Sequence, residues 1–522
     1  MRAAVTSRID RLAPSQRLTL KVASVVGRVF EAGVVKRVFP VGGADPRSID
    51  ADLRQLAALG ILTHERDEPS PAWAFTHALF QDVTYHLMLV SQRRQLHRAV
   101  AEWLEETNAA DLGASAALLA AHWSGAVEDD DNAEPALVWK AIDYLQKAGE
   151  QAMRQYANHE AVAFLNDALG LLEHVPEGPE RTRRELAICC ARGVPLIVLQ
   201  GFAAPDVERT FARAWDLSKQ TEYTPELFGA VLGLWNFSIV RTELQRARDL
   251  ARELFRLAAA AADPELQLPA NRAAGETAFW LGVITTAREH LQRAVALYRP
   301  ELHARAAARV GQDPGVVCRG FLSWTLWLVG EPDAALAIMS DSLALARQLN
   351  HPFSVAMALQ NFSVLHQFRG APADAKKTTE EQIALSHDQG FALWLAGGTV
   401  MHGWARFELG ETAAGLEEMR RGIADWRATG AELPAPYYLS LLAGALARAG
   451  DAAAALALVR DALAASAKSG EAWWRAELLR QDGELRLAVD PADTAAAQQS
   501  IREALELARR QGARALERRI SP

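Results

Sequence analysis

Four glycines, Gly330, Gly370, Gly410 and Gly450, stand 40 residues apart, and small side chains repeat in phase with them. Five residues beyond each sit Ala335, Ala375, Gly415 and Ala455, and seven before each sit Ser323, Ser363, Gly403 and Ala443. Apolar residues fill the remaining phases at helical spacing, as in Leu322, Leu326 and Val329 or Leu442, Leu446 and Ala449. Two antiparallel helices approach closely only where side chains are small, and the turn joining them needs a residue that accepts positive φ. Each period therefore predicts one helical hairpin with an apolar face that only the next hairpin can cover. Looser copies place the small position at Ala161, Val207, Ala247, Ala287 and Ala497. Together they predict about nine hairpins over residues 137–522, stacked into a right-handed superhelix.

Residues 1–104 do not follow this phase. They read as short helices with one strand pair, in the order helix, helix, ribbon that suits a small winged-helix domain. Gly60 ends the helix that carries Leu53, Leu56 and Leu59, and Ile61–Glu65 pairs with Trp73–Phe75 across the polar DEPSP turn. Residues 105–136 form a connecting helix and an acidic loop, GAVEDDDNAEPA, before a helix that starts near Ala136. The fold class predicted is all-α: a tetratricopeptide-like helical-hairpin solenoid behind a winged-helix head.

Composition narrows the chemistry. The 522 residues are 50% hydrophobic with a formal net charge of −8, and Ala, Leu, Arg and Glu dominate, which favours helices. Nucleic acid is disfavoured: residues 1–105 carry 14 Lys plus Arg against 11 Asp plus Glu, interspersed rather than gathered into a basic face. Adjacent Cys189 and Cys190, with Cys318 far away, offer neither an ordinary disulfide nor zinc-ligand spacing. No run approaches a membrane span and the N-terminus lacks a signal-peptide core, so a cytoplasmic protein is expected. The acidic run at 129–131 lacks the order of ligands of a calcium loop, and His77 and His86 are nine positions apart, off the helical spacing of paired metal ligands. No Ser, His and Asp series or Gly-x-Ser-x-Gly elbow is present. No catalytic, metal or cofactor site is predicted.

The phased small residues resemble the tetratricopeptide repeat, whose usual period is about 34 residues, so longer helices or loops are implied here. A wider resemblance rests on SRIDRL at 7–12, LKVASVVGRVF at 20–30, FTHALFQDVTYHLM at 75–88, RRQLHRAVAEWLE at 93–105 and, more loosely, ETAFWLGVITTAREHLQRAVALY at 276–298. In this order they resemble the region following the nucleotide-binding domain of large bacterial signalling ATPases, particularly those linked to class III adenylate or guanylate cyclases. The resemblance implies a winged helix, a repeat array that captures a ligand, and release of an ATPase with its attached output. It also implies that His77, with Arg94 and His97, meets an ATPase domain. The phosphate-binding GxxxxGK followed by Ser or Thr is missing, so this chain is not expected to hydrolyse ATP itself. Both ends read as cut, as in a fragment of a longer protein.

The first helix of each hairpin lines the concave side of such an array, which by phase presents Trp324, Trp327, Gln360, Gln367, Trp404 and Tyr437. Aromatic rings and amides suit a groove that holds a protein or peptide. Two roles are open to them, groove contact and filling of the core between hairpins. The rival functional class is a transcriptional regulator that binds DNA through the winged helix, whose recognition helix would carry Asp50, Asp52, Arg54 and Gln55.

Overall fold

The computed structural model describes residues 2–40, 46–67, 70–109, 112–130, 132–219, 225–261, 263–303 and 312–521. The chain divides into two compact units, Met1–Arg181 and Thr182–Pro522. The step from head to hairpins, read from the sequence at 104–136, falls inside the first of them.

The first unit begins with helices Arg2–Asp10 and Pro14–Val26, then β1 (Val29–Glu31), helices Ala32–Arg37 and Pro46–Ala58, β2 (Leu62–Arg66) and β3 (Ala72–Phe75). The expected ribbon is β2 against β3, with Leu62 opposite Phe75 and an irregularity between His64 and Arg66. The structure is mostly helical, as expected, and β1 adds a third antiparallel strand to the expected pair, in the order β1-β3-β2. Three residues are too few to show alternation in a sequence. What fixes β1 is Phe30, 3% exposed, whose ring lies 5.9 Å from that of Phe75. Leu20, Leu53 and Leu56 complete this core. Leu59, expected on the same face, is half exposed, since the helix stops at Ala58 and Gly60 turns the chain at φ 67°.

Helical pairing starts earlier than the sequence suggested. Val90–Thr107 packs on Ala116–Val127, which in turn packs on Pro135–Arg154. From there the described residues form nine pairs. Pro135–Arg154 joins Asn158–Leu172, Pro179–Gln200 joins Pro205–Ser218, Pro225–Val240 joins Leu244–Ala261, and Gln267–Trp280 joins Ile284–Leu297. Pro314–Leu328 joins Pro332–Gln348, Pro352–Phe368 joins Pro372–Gln389, Ala392–Glu408 joins Thr412–Ala428, Ala435–Arg448 joins Ala452–Ser469, and Arg475–Val489 joins Thr494–Gln511. A short helix, Arg514–Ile520, follows. The 40-residue period comes from long helices, 17 and 18 residues in the pair at 352–389.

Gly330, Gly370, Gly410 and Gly450 all take positive φ, between 65° and 96°. The residue after each donates to the carbonyl five positions back: Glu331 to Leu326, Ala371 to His366, Glu411 to Arg406 and Asp451 to Leu446. This is the closure of a helix C-terminus by a left-handed residue. A second positive-φ series, Asn350, Gly390, Gly430 and Gly470, also recurs every 40 residues and turns one hairpin into the next.

The small positions lie at the helix crossings. Ser323 Oγ donates to the Ala335 carbonyl at 2.7 Å, and in the corresponding pair a Cβ on Gly415 would come within 2.7 Å of both Gly403 O and Phe407 N. Because those neighbours are backbone, Gly415→Ala is expected to lower stability by about 1–3 kcal/mol through overpacking. Gly444, mid-helix where an added Cβ would meet only the Gln481 amide at an ordinary contact distance of 3.7 Å, should behave oppositely, Gly444→Ala gaining about 0.5–1 kcal/mol. Urea denaturation of the two variants measures both, and equal effects would contradict this account of the crossing.

Candidate functional site

The second unit closes on itself. The Val240 carbonyl accepts from Glu432 N at 3.1 Å and Leu433 N at 3.3 Å, and Arg241 Nη1 reaches the Gly430 carbonyl at 3.0 Å. Trp280 O accepts from Ala472 N at 2.8 Å. The turns that carry Gly430 and Gly470 thus meet the ends of helices Pro225–Val240 and Gln267–Trp280. The expected concave groove narrows to a cavity of about 110 Å³.

Its walls are rich in aromatic rings, with Phe321, Trp324, Trp394, Trp426, Tyr437 and Trp473 among them. Trp324 and Trp473 lie nearly parallel with centroids 6.2 Å apart, and Trp473 packs on Trp474 and Phe279, each 5.1 Å away. One polar cluster interrupts the apolar wall. Arg272, 2% exposed, donates from Nε to Glu276 at 2.6 Å and from Nη2 to Asn236 Oδ1 at 3.1 Å, above the Trp235 ring at 5.3 Å. With its amide oxygen turned toward the guanidinium, Gln312 accepts from Arg272 as well. Burial pushes the Glu276 carboxyl upward, against the pull of Arg272. Beside Trp473, Glu471 accepts from the indole N–H at 2.9 Å, and burial raises its carboxyl to about 8.

Three donors of wall residues, the indole N–H groups of Trp280 and Trp394 and the Asn361 amide, have no acceptor among the described residues. Other wall groups are matched: Trp324 Nε1 to the Asn361 carbonyl, Trp426 Nε1 to that of Leu433, and Gln360 Nε2 to Tyr438 Oη. Gly320 gives Asn361 its seat, since a Cβ there would collide with the amide.

Of the residues picked from the repeat phase, Trp324, Gln360 and Tyr437 line the cavity. Gln367 sits behind the wall and accepts from Tyr437 Oη at 3.0 Å. Trp327 stacks on Phe368 at 4.6 Å with the Arg519 guanidinium over its other side, 4.9 Å from the ring centre. Trp404 is buried outside the cavity wall. Sequence reasoning missed Arg272, Glu276, Trp280, Trp394 and Trp473. The Trp-Trp doublet just after Gly470 was the one local signal available.

In the first unit His77 is exposed at the N-terminus of helix Ala78–His86. Arg94 is held by Asp130 at 2.9 Å and by the Asp129 carbonyl at 3.2 Å. His97 is enclosed, with Tyr85 Oη 3.0 Å from its Nε2 and His122 Nδ1 2.9 Å from its Nδ1. On the helix proposed to read DNA, Asp50 pairs with Lys36 at 2.8 Å, and Asp52 accepts from Thr19 at 3.1 Å and Ser15 at 3.2 Å. These acids serve the head's own packing.

No protein-family model matches the chain. It is 27% identical over 527 residues to an uncharacterized protein of Rhizobium meliloti (strain 1021), covering 98% of this chain and 49% of that protein. The chain thus spans about half the length of the curated relative it matches. Among solved structures it resembles a Rap protein complexed with competence and sporulation factor, with a TM-score of 0.54 and 13% identity over 71% of this chain and 98% of that one. It is more distantly similar to the apo quorum sensor NprR from B. thuringiensis, with TM-score 0.45 and 14% identity over 71% of this chain and 99% of the other. A signal transduction ATPase with a tetratricopeptide repeat sensor from Pyrococcus horikoshii gives TM-score 0.36 and 10% identity over 82% of this chain and 65% of the other. The first likeness shows the fold, a tetratricopeptide-like solenoid of tandem helical hairpins. Among the described residues no helix is long and apolar enough to cross a membrane.

The histidine pair makes the first unit acid-sensitive. Burial, then the charges of His122 and Arg93, push His97 from its ordinary 6.5 to about 3, and burial alone pushes His122 to about 4. Below pH 6.5 the unfolded chain takes up protons that the folded pair refuses, so stability falls as pH drops toward 4. A loss of about 2–5 kcal/mol between pH 6.5 and 4.5 is expected. His97→Gln with His122→Gln should flatten that slope in urea titrations that follow the first unit, and an unchanged slope would refute the assignment.

Proposed function

We propose that the chain is a non-catalytic, ligand-capturing repeat scaffold, the sensor portion of a cyclase-linked signalling ATPase. Its ligand is a peptide or a protein segment received in the interior of the second unit. The observation that carries this reading is the cavity itself, a space lined by aromatic and aliphatic side chains with the Arg272 cluster set into its wall. A core kept only for stability would omit a buried guanidinium–carboxyl pair, whose desolvation offsets much of its attraction. Aromatic walls with a few placed polar groups are the usual make-up of a recognition pocket.

In the same reading residues 1–104 are a winged helix, supported by the order helix, strand, two helices, hairpin and by the sheet order β1-β3-β2. Exposed His77 stands on the surface offered to the ATPase domain, and capture of the ligand shifts the parent protein toward its released state.

The test uses the purified 522-residue chain and a random pentapeptide pool containing free-acid and amidated C-termini, with retained peptides identified by mass spectrometry. A retained subset rich in aromatic residues, reduced at least about tenfold by Trp394→Ala, is the expected result. A pool that passes through unretained, or retention indifferent to Trp394→Ala, would overturn it.

A further inference from the structure

Away from the cavity, one partly buried cation is held without a carboxylate. Arg519, in the short helix Arg514–Ile520, sets its guanidinium 4.9 Å from the ring centre of Trp327 and 5.8 Å from that of Trp474, and donates from Nη2 to the Phe368 carbonyl at 3.1 Å. Among the described residues it forms no ion pair: Glu477, the carboxyl whose charge reaches it, is held by Arg480 through both oxygens, at 2.6 and 3.0 Å. Burial lowers the Arg519 guanidinium from its ordinary value, Glu477 pulls it back up, and Arg480 adds to the fall. The place it occupies is nevertheless suited to a cation. The Phe368 ring stacks on both indoles, 4.6 Å from Trp327 and 5.3 Å from Trp474. Its carbonyl ends helix Pro352–Phe368, where the last carbonyls lack helical partners and carry the negative end of the helix dipole. Indole faces attract a guanidinium in the same sense.

Little else holds this helix. Leu516 is its one fully buried residue, a seven-residue helix is not stable alone, and Gly512 at φ 70° sets it off from helix Thr494–Gln511. Gly330 gives it a seat, since a Cβ there would already touch Arg514 Cβ at 3.4 Å. We propose that Trp327, Trp474 and the Phe368 carbonyl form an arginine-receiving slot, which the chain fills with its own Arg519, and that helix Arg514–Ile520 is a tethered ligand that detaches as a unit. Leu516 and Arg519 are three positions apart and share a helical face, so a partner helix with an apolar residue followed three positions later by arginine competes for the slot. A cap kept only to cover the last hairpin would lay an apolar side chain over Trp327, because a guanidinium gives up hydration there without a counter-charge. Release reaches beyond the slot. The helix touches Gly330 of one hairpin, Phe368 of the next and Trp474 of the last, and its departure uncouples the three.

The inference does not depend on what fills the cavity, and amide hydrogen exchange on the full chain tests its first half. Arg519→Met keeps an unbranched apolar side chain over the indoles and removes the charge. If the slot receives a cation, exchange over residues 514–520 accelerates about tenfold or more in this variant, while helix Thr494–Gln511 keeps its rate and the melting temperature holds. Arg519→Lys, which keeps the charge without the planar guanidinium, falls between the two. Unchanged or slower exchange in Arg519→Met assigns Arg519 to packing and overturns the slot. Acceleration that spreads equally into Thr494–Gln511 shows the helix to be an inseparable last turn of the array and overturns its release as a unit.

Competition is tested in trans with a labelled peptide of residues 513–521, acetyl-ARALERRIS-amide, followed by fluorescence anisotropy up to millimolar protein. The full chain carrying Leu516→Ser, which loosens its own helix, should bind the peptide about tenfold or more tightly than the unaltered chain, whose slot is filled at the high effective concentration of a tether. The same peptide with Arg519→Met should bind the Leu516→Ser chain at least about tenfold less well. Equal binding to the two chains, equal binding of the two peptides, or no binding to either chain overturns the displaceable slot.

Discussion

The close crossing of paired helices governs everything else in this molecule. At Gly403 and Gly415 two backbones approach until a single added methyl would strike main-chain atoms. Helices that near each other bury a narrow strip and leave broad apolar flanks, which a lone hairpin cannot hide. Each hairpin must therefore receive the next. The left-handed residue at each turn sets the direction in which it arrives, and the two interleaved series of turns make that rotation regular from 330 to 470.

Regular rotation has a consequence in the second unit, because residues roughly 190 apart meet. Val240 receives Glu432 and Leu433, and Trp280 receives Ala472, so early and late hairpins of the unit are joined across its concave side. An interior formed this way has to be filled from several walls at once. Large flat side chains do so with few rotatable bonds, which explains the crowd of Trp, Phe and Tyr around Trp473. Apolar residues would have stabilised the same space more simply than a buried Arg272–Glu276 pair, whose desolvation offsets much of its attraction. The pair persists with Asn236 and Gln312 as supports, a sign that the interior is shaped by more than packing.

What could be read in the sequence was whatever repeats. Gly330, Gly370, Gly410 and Gly450 announced their turns because identity, spacing and small neighbours agreed. The second series was equally regular but began with Asn350, so it lost the common residue type that draws attention to a period. Strand β1 was too short to show alternation, and helix Ala116–Val127 fell outside the repeat phase altogether. The cavity was half legible. Trp324, Gln360 and Tyr437 followed from phase, since helix geometry alone puts them on the inner face. Trp473 meets Phe279 and Trp280 only through closure, a contact no local pattern encodes, whereas Trp394 packs on Phe353 of the preceding hairpin at a phase other than the one used to pick the wall. Arg272 and Glu276 were hidden in a different manner: their spacing of four is that of any exposed helical ion pair, and only the surrounding hairpins make it a buried one.

Closure also ties the interior to the length of the array. The walls come from residues between Phe202 and Trp473, so a ligand that bridges them is in contact with early and late hairpins together. In the free molecule those walls are joined by a handful of backbone hydrogen bonds and by ring contacts. A ligand that fitted both walls would favour the closed turn by its differential affinity for it, since only differential affinity moves a conformational equilibrium. The tighter the fit across the seam at Val240 and Leu433, the more of that free energy reaches the relative position of hairpins far apart in sequence. A repeat array with an open groove has no such lever, because its ends stay independent of what lies between them. Here the seam supplies it, and the seam follows from the same glycine turns and small-residue crossings that fold the hairpins.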